Sequence, residues 1–281
     1  MDLILRNARL GHRLVHLSVA DGRIARIEEA GPHGIGAVPD ARGNGPRHVD
    51  PGDPREAIVS GTRVIDASGL HLFPAFRNGH THAAMTLFRG WGDDLPLMTW
   101  LQERIWPAEA RMSADDVYHG TRLALLEMIR SGTVYLNDMY WHAPAIARAV
   151  SEMGLRAHVG AAFVDLGQEA VAARWRREVE AWLEQRDEWG PTVRASVAPH
   201  AVYTVSPRHL RWLGDLAARH GLLLHIHLSE TPGEVERCVA EHGVPPARLL
   251  HDLGLVDDRL VVAHGVHLEP GELELLGAAG A

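Results

Sequence analysis

From residue 72 onward, short apolar runs alternate with longer runs in which apolar residues recur every three or four positions. The first pattern is typical of buried strands and the second of amphipathic helices. The strand-like runs are LFPAF (72–76), TVYLND (133–138), RAHVGAAFV (156–164), TVRASVAPH (192–200), LLLHIHLSE (222–230) and LVVAHGVHL (260–268). Strands that alternate with helices predict a parallel sheet.

The helices between these strands have recognisable ends. Ser113 precedes one helical run as an N-cap and Gly132 follows it, while Ser206 precedes another run whose first position is Pro207. A closed (β/α) barrel of the TIM type needs eight strands and typically about 250 residues. Since six strands are visible in residues 71–281, we predict an incomplete barrel, truncated before strands seven and eight.

Residues 1–70 show shorter, alternating runs that are typical of half-buried strands. DLILRNARL and RIARIEE are two of them, and the Asp-Gly pair in ADGR (20–23) indicates a hairpin turn. Residues 31–57 are rich in Gly, Pro and Asp and are interpreted as an insertion. We therefore predict an α/β protein with an N-terminal β-domain (1–70) and a barrel domain (71–281).

The composition excludes several functional classes. A formal net charge of -8 argues against nucleic acid as a partner, and no run approaches the ~20 apolar residues of a membrane helix. The single cysteine, Cys238, cannot form an internal disulfide and suits the cytoplasm. All 28 basic residues are arginine, so no carbamylated lysine can bridge two metal ions.

Histidines stand at the carboxyl ends of four predicted strands, where a barrel of parallel strands has its active site. They are His80, His82, His200, His225, His227, His264 and His267. Residues i and i+2 of a strand share a face, so His80 and His82 can point into the same space. Two imidazoles from one strand and one from another form a workable zinc set. Because the chain has 19 histidines, chance pairing is the alternative interpretation.

The sequence resembles the amidohydrolase superfamily, and within it the S-adenosylhomocysteine/methylthioadenosine deaminases and their chlorohydrolase relatives. The resemblance is carried by FPAFRNGHTHAAM and the residues after it, and by LNDMYWH, APHAVYT, HIHLSE and VVAHGVHL, in the family's order. It covers essentially the whole chain except residues 31–57. It implies a metal-dependent hydrolase that acts on a small heterocyclic substrate.

The resemblance also implies roles for the matching residues. His80, His82 and His227 would hold one divalent metal ion, either zinc or, as the alternative, Fe2+. Such an ion lowers the pKa of its water toward ~7. Glu230 would transfer protons from this water to the ring and to departing ammonia. His264 would hold or polarise the water.

Three further residues would contact the substrate. His200 would contact the heterocycle, Trp100 would pack on the nucleoside, and Glu109 would bind the ribose hydroxyls. A plain packing role for Trp100 and a solvated role for Glu109 are the alternatives. His225 shares a face with His227 but lies deeper, and it is interpreted as structural.

Two features depart from the family pattern. The aspartate that supplies the family's last metal ligand has no counterpart. No arginine is visible at the mouth after the third strand (156–164), where family members bind the carboxylate of S-adenosylhomocysteine.

We therefore predict a deaminase of purine nucleosides such as methylthioadenosine. The alternatives are hydrolysis of guanine-type bases or s-triazines, and an inactive truncated fragment. The unpaired strand edges of an incomplete barrel also predict that the chain is poorly soluble or forms homo-oligomers.

Overall fold

The computed structural model describes residues 2–30, 56–59, 61–92 and 94–281. The chain divides into two compact units, Met1–Pro74 and Ala75–Ala281. Most of the insertion predicted at 31–57 lies outside the described residues, and its last two residues begin a strand.

The first unit is a five-stranded sheet in the order β3-β2-β1-β5-β4. Its strands are β1 (Leu3–Leu10), β2 (Arg13–Ala20), β3 (Arg23–Glu29), β4 (Glu56–Val59) and β5 (Thr62–Asp66). β1 and β5 are parallel, and the other neighbours are antiparallel. The predicted hairpin turn is confirmed between β2 and β3, where Asp21 (φ 50°) and Gly22 (φ 71°) are both left-handed, as a two-residue type I′ turn requires.

The second unit contains a parallel sheet whose strand order follows the chain. Its strands are β6 (Phe76–Thr81), β7 (Thr133–Tyr140), β8 (Arg156–Phe163), β9 (Val193–Pro199), β10 (Leu224–Leu228) and β11 (Leu260–His264). Parallel strands in sequential order with helices between them are the arrangement of a (β/α) barrel. The predicted fold class, an incomplete barrel with a separate small β-sheet, is confirmed.

Helical segments lie between these strands and after the last one. They are a 3-10 helix (Ala83–Phe88), α1 (Leu97–Trp100), a π-helical turn (Leu101–Ile105), α2 (Trp106–Glu109), α3 (Ala114–Arg130), α4 (Ala143–Met153), α5 (Glu169–Glu184), α6 (Pro207–His220), α7 (Pro232–His242), α8 (Pro246–Asp252) and α9 (Pro270–Ala279). The predicted N-caps are confirmed: Ser113 forms a capping box with Asp116, and Ser206 precedes α6. Within the described chain, no helix has both the length and the apolarity to cross a bilayer.

The first barrel strand is the one strand whose predicted position is wrong. The apolar run at 72–76 is irregular up to Phe76, where β6 begins. Phe73 and Phe76 are 75% and 63% exposed. Their apolar side chains were therefore not a sign of a buried strand. Pro74 has no N–H to donate to a neighbouring strand, and this favours a strand that starts after it.

We predict that the chain self-associates through the β6 side of its barrel sheet. β6 and β11 are the outer strands of that sheet, and Phe76, Ile129 and Val134 are 63%, 48% and 47% exposed. Open strand edges and contiguous apolar surface favour association. Light scattering during gel filtration should therefore give a mass above the 30.8 kDa of one chain.

The Phe76→Ser/Val134→Thr double variant should shift the chain toward the monomer. Val239→Thr, on α7, is the matched control, because Val239 is 44% exposed but lies far along the chain from β6. A wild-type chain that is monomeric at about 50 μM would contradict this prediction.

Candidate active site

One cavity of about 710 Å³ opens at the carboxyl ends of the barrel strands. The residues predicted to form the site all line it: His80, His82, Trp100, Glu109, His200, His227, Glu230 and His264. The strand ends bring them together, because β6, β9, β10 and β11 each contribute a histidine within one residue of their last residue. Their individual roles stay predictions.

His82 and His227 face each other through their Nε2 atoms, which are 3.1 Å apart. The Nδ1 atom of His82 is 2.5 Å from the carbonyl oxygen of Met139, and that of His227 is 2.7 Å from the carbonyl oxygen of His200. A carbonyl oxygen only accepts hydrogen bonds, so both Nδ1 atoms carry the proton of the neutral ring. Both Nε2 atoms are therefore proton-free and present lone pairs to each other.

Two facing lone pairs repel unless a cation lies between them. Zinc binds histidine nitrogens at about 2.0–2.1 Å in a tetrahedral shell, which places neighbouring nitrogens about 3.3 Å apart. The Nε2 atoms of His82 and His227 are close to this spacing. The donor set thus fits a divalent metal ion such as zinc.

Two more histidines complete the cluster. The ligand atoms of His80, His227 and His264 all lie within 4.8 Å of one another. This group contains His264, which was predicted to act on water, in place of His82. His80 reaches the cluster from β6, and its Nδ1 atom is 2.9 Å from Nε2 of His225. The structure therefore offers four candidate ligands where three were predicted.

The surroundings keep the imidazoles of His80 and His227 neutral. Burial, followed by the neighbouring His82, lowers the pKa of His80 to about 3. Burial and the nearby His200 hold the pKa of His227 well below its ordinary value. At neutral pH, protons therefore do not compete with a metal ion for these nitrogens.

Glu230 lies beside the cluster, with its Oε2 atom 3.6 Å from Nε2 of His264. The buried carboxylate of Glu234 accepts the backbone N–H groups of Ser229 and Glu230, each at 2.9 Å. Ser229 (φ 51°) and His264 (φ 72°) are both left-handed, which is uncommon for residues other than glycine. Glu234 thus braces the turn that directs Glu230 toward the cavity.

His200 and Asp138 differ in their access to the cavity. Nδ1 of His200 is 2.9 Å from the hydroxyl oxygen of Thr204, and burial with the nearby His82 lowers its pKa to about 4. Asp138 is fully buried and accepts the N–H of Ala83 at 2.8 Å. Asp138 does not line the cavity, which agrees with a structural role.

The far wall of the cavity is aromatic and holds Glu109. Burial raises the pKa of Glu109, and hydrogen bonds from Tyr140 and Trp141 oppose that rise. Trp100 is fixed by its Nε1–H, which donates to the carbonyl oxygen of Trp91 at 3.0 Å. A carboxylate held by two donors in an apolar wall is suited to accept hydrogen bonds from sugar hydroxyls.

The sequence did not identify several residues of this wall. The rings of Trp141 and Trp175 contact each other at a tilt of 31°, with centroids 4.3 Å apart, and the guanidinium carbon of Arg174 lies 4.8 Å from the centroid of the Trp175 ring. All three line the cavity. The expectation that no arginine lies at the mouth after the third strand is therefore wrong, because Arg174 of the following helix, α5, lines the cavity. The available sequence signal was that Arg174 and Trp175 are neighbours in the helical run of α5. The same pattern is equally typical of a solvent-exposed pair.

Comparisons with known proteins agree with this geometry. Residues 71–281 match the model described as "Amidohydrolase family". The 5'-deoxyadenosine deaminase of Methanoregula boonei is 46% identical over 218 residues, which are 77% of this chain and 49% of that protein. The 5-methylthioadenosine/S-adenosylhomocysteine deaminase of Pelotomaculum thermopropionicum is 41% identical over 232 residues, 80% and 52% of the two proteins. The chain thus spans about half the length of the curated relatives it matches.

A solved structure shares the fold and aligns with a larger part of this chain than the two relatives do. The adenosine deaminase from Xanthomonas campestris, with bound zinc, aligns with a TM-score of 0.83 and 32% sequence identity. The alignment covers 99% of this chain and 61% of that one.

We predict that the metal-free chain loses stability as the pH falls from 7 to 5. The pKa values of His200 and His225 are lowered from 6.5 to about 4 and about 3, chiefly by burial. Between pH 6.5 and these values the unfolded chain binds more protons than the folded one, so acid favours unfolding. The expected loss by pH 5 is about 1–2 kcal/mol for each histidine.

Urea unfolding with a chelator present measures this loss. In the His200→Asn variant, residue 200 cannot take up a proton in the unfolded chain. The free energy of unfolding of this variant should therefore fall less than that of the wild type between pH 7 and pH 5. Equal wild-type stability at pH 7 and pH 5 would show that the cluster is not desolvated as described.

Proposed function

The chain belongs to the amidohydrolase family, and on that basis we propose that its cavity is the site of a metal-dependent aminohydrolase. The proposed reaction removes the amino group of a purine nucleoside such as methylthioadenosine. The observation that carries the proposal is the pair of proton-free Nε2 atoms of His82 and His227, 3.1 Å apart, with Glu230 beside them.

We assign one zinc ion to this site, held by His80, His82 and His227. When bound, a divalent metal supplies a water molecule with a pKa near ~7. The Glu230 carboxylate accepts a proton from the nucleophile and passes it to the ring nitrogen. It then takes the proton of the new hydroxyl group on the ring carbon and delivers it to the amino group, which leaves as ammonia while the carbonyl forms. His264 orients the nucleophile, and its distance of 3.6 Å from Glu230 lets both side chains meet the same water molecule.

The remaining cavity residues bind the substrate in this proposal. His200 contacts the purine, Trp100 packs on the nucleoside, and Glu109 accepts hydrogen bonds from the ribose hydroxyls. Arg174 at the cavity lining supplies a cation for a substituent with a carboxylate, so S-adenosylhomocysteine stays within the proposed substrate class.

Glu109 separates this proposal from its closest alternative. A guanine-type base or an s-triazine has no ribose, and it would leave the Glu109 carboxylate without a partner in the substrate. Tyr140 and Trp141 would then be its described donors, whereas ribose hydroxyls would also use its remaining acceptor positions. The oriented Glu109 therefore favours a nucleoside over a free heterocycle.

The test measures binding and turnover separately on the zinc-loaded chain. Methylthioadenosine should quench tryptophan fluorescence, because Trp100, Trp106, Trp141 and Trp175 line the cavity, and it should release ammonia faster than guanine or atrazine. Binding without ammonia release would favour the inactive fragment. Ammonia release from guanine or atrazine alone would favour the alternative substrates, and a chain that does neither contradicts the proposal.

Glu230→Gln tests the proton-transfer role. The amide keeps the shape of the side chain but cannot shuttle a proton, so ammonia release should fall at least ~100-fold while zinc content is unchanged. The matched control is Glu236→Gln, on the exposed side of α7, which should retain the wild-type rate. Near-normal turnover of Glu230→Gln would assign the proton transfer to another group.

A further inference from the structure

The three proposed ligands differ in what holds their protons. The Nδ1 atoms of His82 and His227 donate to backbone carbonyl oxygens, which leaves each ring only one neutral tautomer. The Nδ1 atom of His80 instead faces Nε2 of His225, at 2.9 Å. An imidazole nitrogen either donates or accepts, so geometry around His80 alone leaves its tautomer open.

The contact with His80 is the one hydrogen bond that the described residues give to the His225 side chain. His225 is 0% exposed and lies on β10, where every residue is buried. Its Nδ1 atom has no hydrogen-bond partner among the described residues. A buried polar atom without a partner is destabilising, and an apolar residue at this position would avoid that cost. A histidine used here only for packing would therefore be a poor choice.

We propose that His225 is a positioning residue for the metal site. Its Nε2 atom accepts the Nδ1 proton of His80, and this holds His80 in the tautomer whose Nε2 lone pair is free to bind the metal. With the hydrogen bond reversed, His80 carries its proton on Nε2 and cannot be a ligand through that atom. This inference rests on the proposed metal site, and it gives His225 control over metal affinity without contact with the ion.

Zinc affinity of two substitutions tests the proposal by competition with a chromophoric chelator. His225→Leu keeps an apolar side chain but removes the acceptor, and zinc binding should weaken about 10–100-fold, as is typical when a partner of a ligand is removed. His225→Gln places an amide oxygen near the Nε2 position and should restore most of the affinity. His158→Leu is the control, because His158 bonds Tyr135 and does not contact His80.

Histidine nitrogen NMR of the metal-free protein reports the tautomer directly and needs no activity. The wild type should show His80 protonated on Nδ1, with the signal assigned by its loss in His80→Gln. His225→Leu should lose this preference, and His225→Gln should keep it.

The outcomes separate this proposal from the metal site itself. Wild-type His80 protonated on Nε2 would overturn the positioning role, as would a folded His225→Leu variant with unchanged zinc affinity. If the wild type bound no zinc, the proposed metal site would be wrong. An NMR signal for an Nδ1 proton on His80 would even then support the hydrogen bond to His225.

Discussion

Two backbone carbonyl oxygens determine what the histidine cluster can do. The oxygens of Met139 and His200 accept the Nδ1 protons of His82 and His227. Because the peptide groups of strands do not rotate freely, the strands fix both the orientation and the tautomer of these rings. The Nε2 lone pairs must then converge, and the rest of the site is arranged around the position where they meet.

The loops that follow the strands orient the residues proposed for proton transfer. Ser229 and His264 adopt left-handed backbone conformations just beyond or at the end of their strands, and such conformations persist only where surrounding contacts hold them. Glu234 supplies these contacts for Ser229 and Glu230 through two hydrogen bonds to backbone N–H groups. Parallel pairing of β10 with β11 brings this turn next to His264.

The sequence was sufficient to find the cavity because its polar residues follow strands. His80 and His82 share a face because side chains two residues apart on a strand point the same way. The motif HIHLSE places Glu230 three residues after His227, so the site residues at both strand ends could be predicted. Arg174 and Trp175 of α5 were not predicted as cavity residues, because the side of a helix that faces a cavity depends on how the helix packs. β6 was misplaced for a related reason, since Phe76 is apolar and yet exposed.

The tautomers could not be predicted from sequence either. Whether a ring nitrogen meets a carbonyl oxygen, as in His227, or another imidazole, as in His80, depends on how the neighbouring strands pack. The sequence therefore predicts a structural role for His225, and the proposed positioning role rests on its 2.9 Å contact with His80.

The most direct test of this account is zinc X-ray absorption on the chain loaded with one equivalent of the metal. Convergent Nε2 atoms predict nitrogen neighbours at about 2.0–2.1 Å with the multiple scattering of at least three imidazoles, reduced by one imidazole in His227→Ala. A zinc shell made of oxygen atoms, or one that His227→Ala leaves unchanged, would show that the facing histidines do not form a metal site.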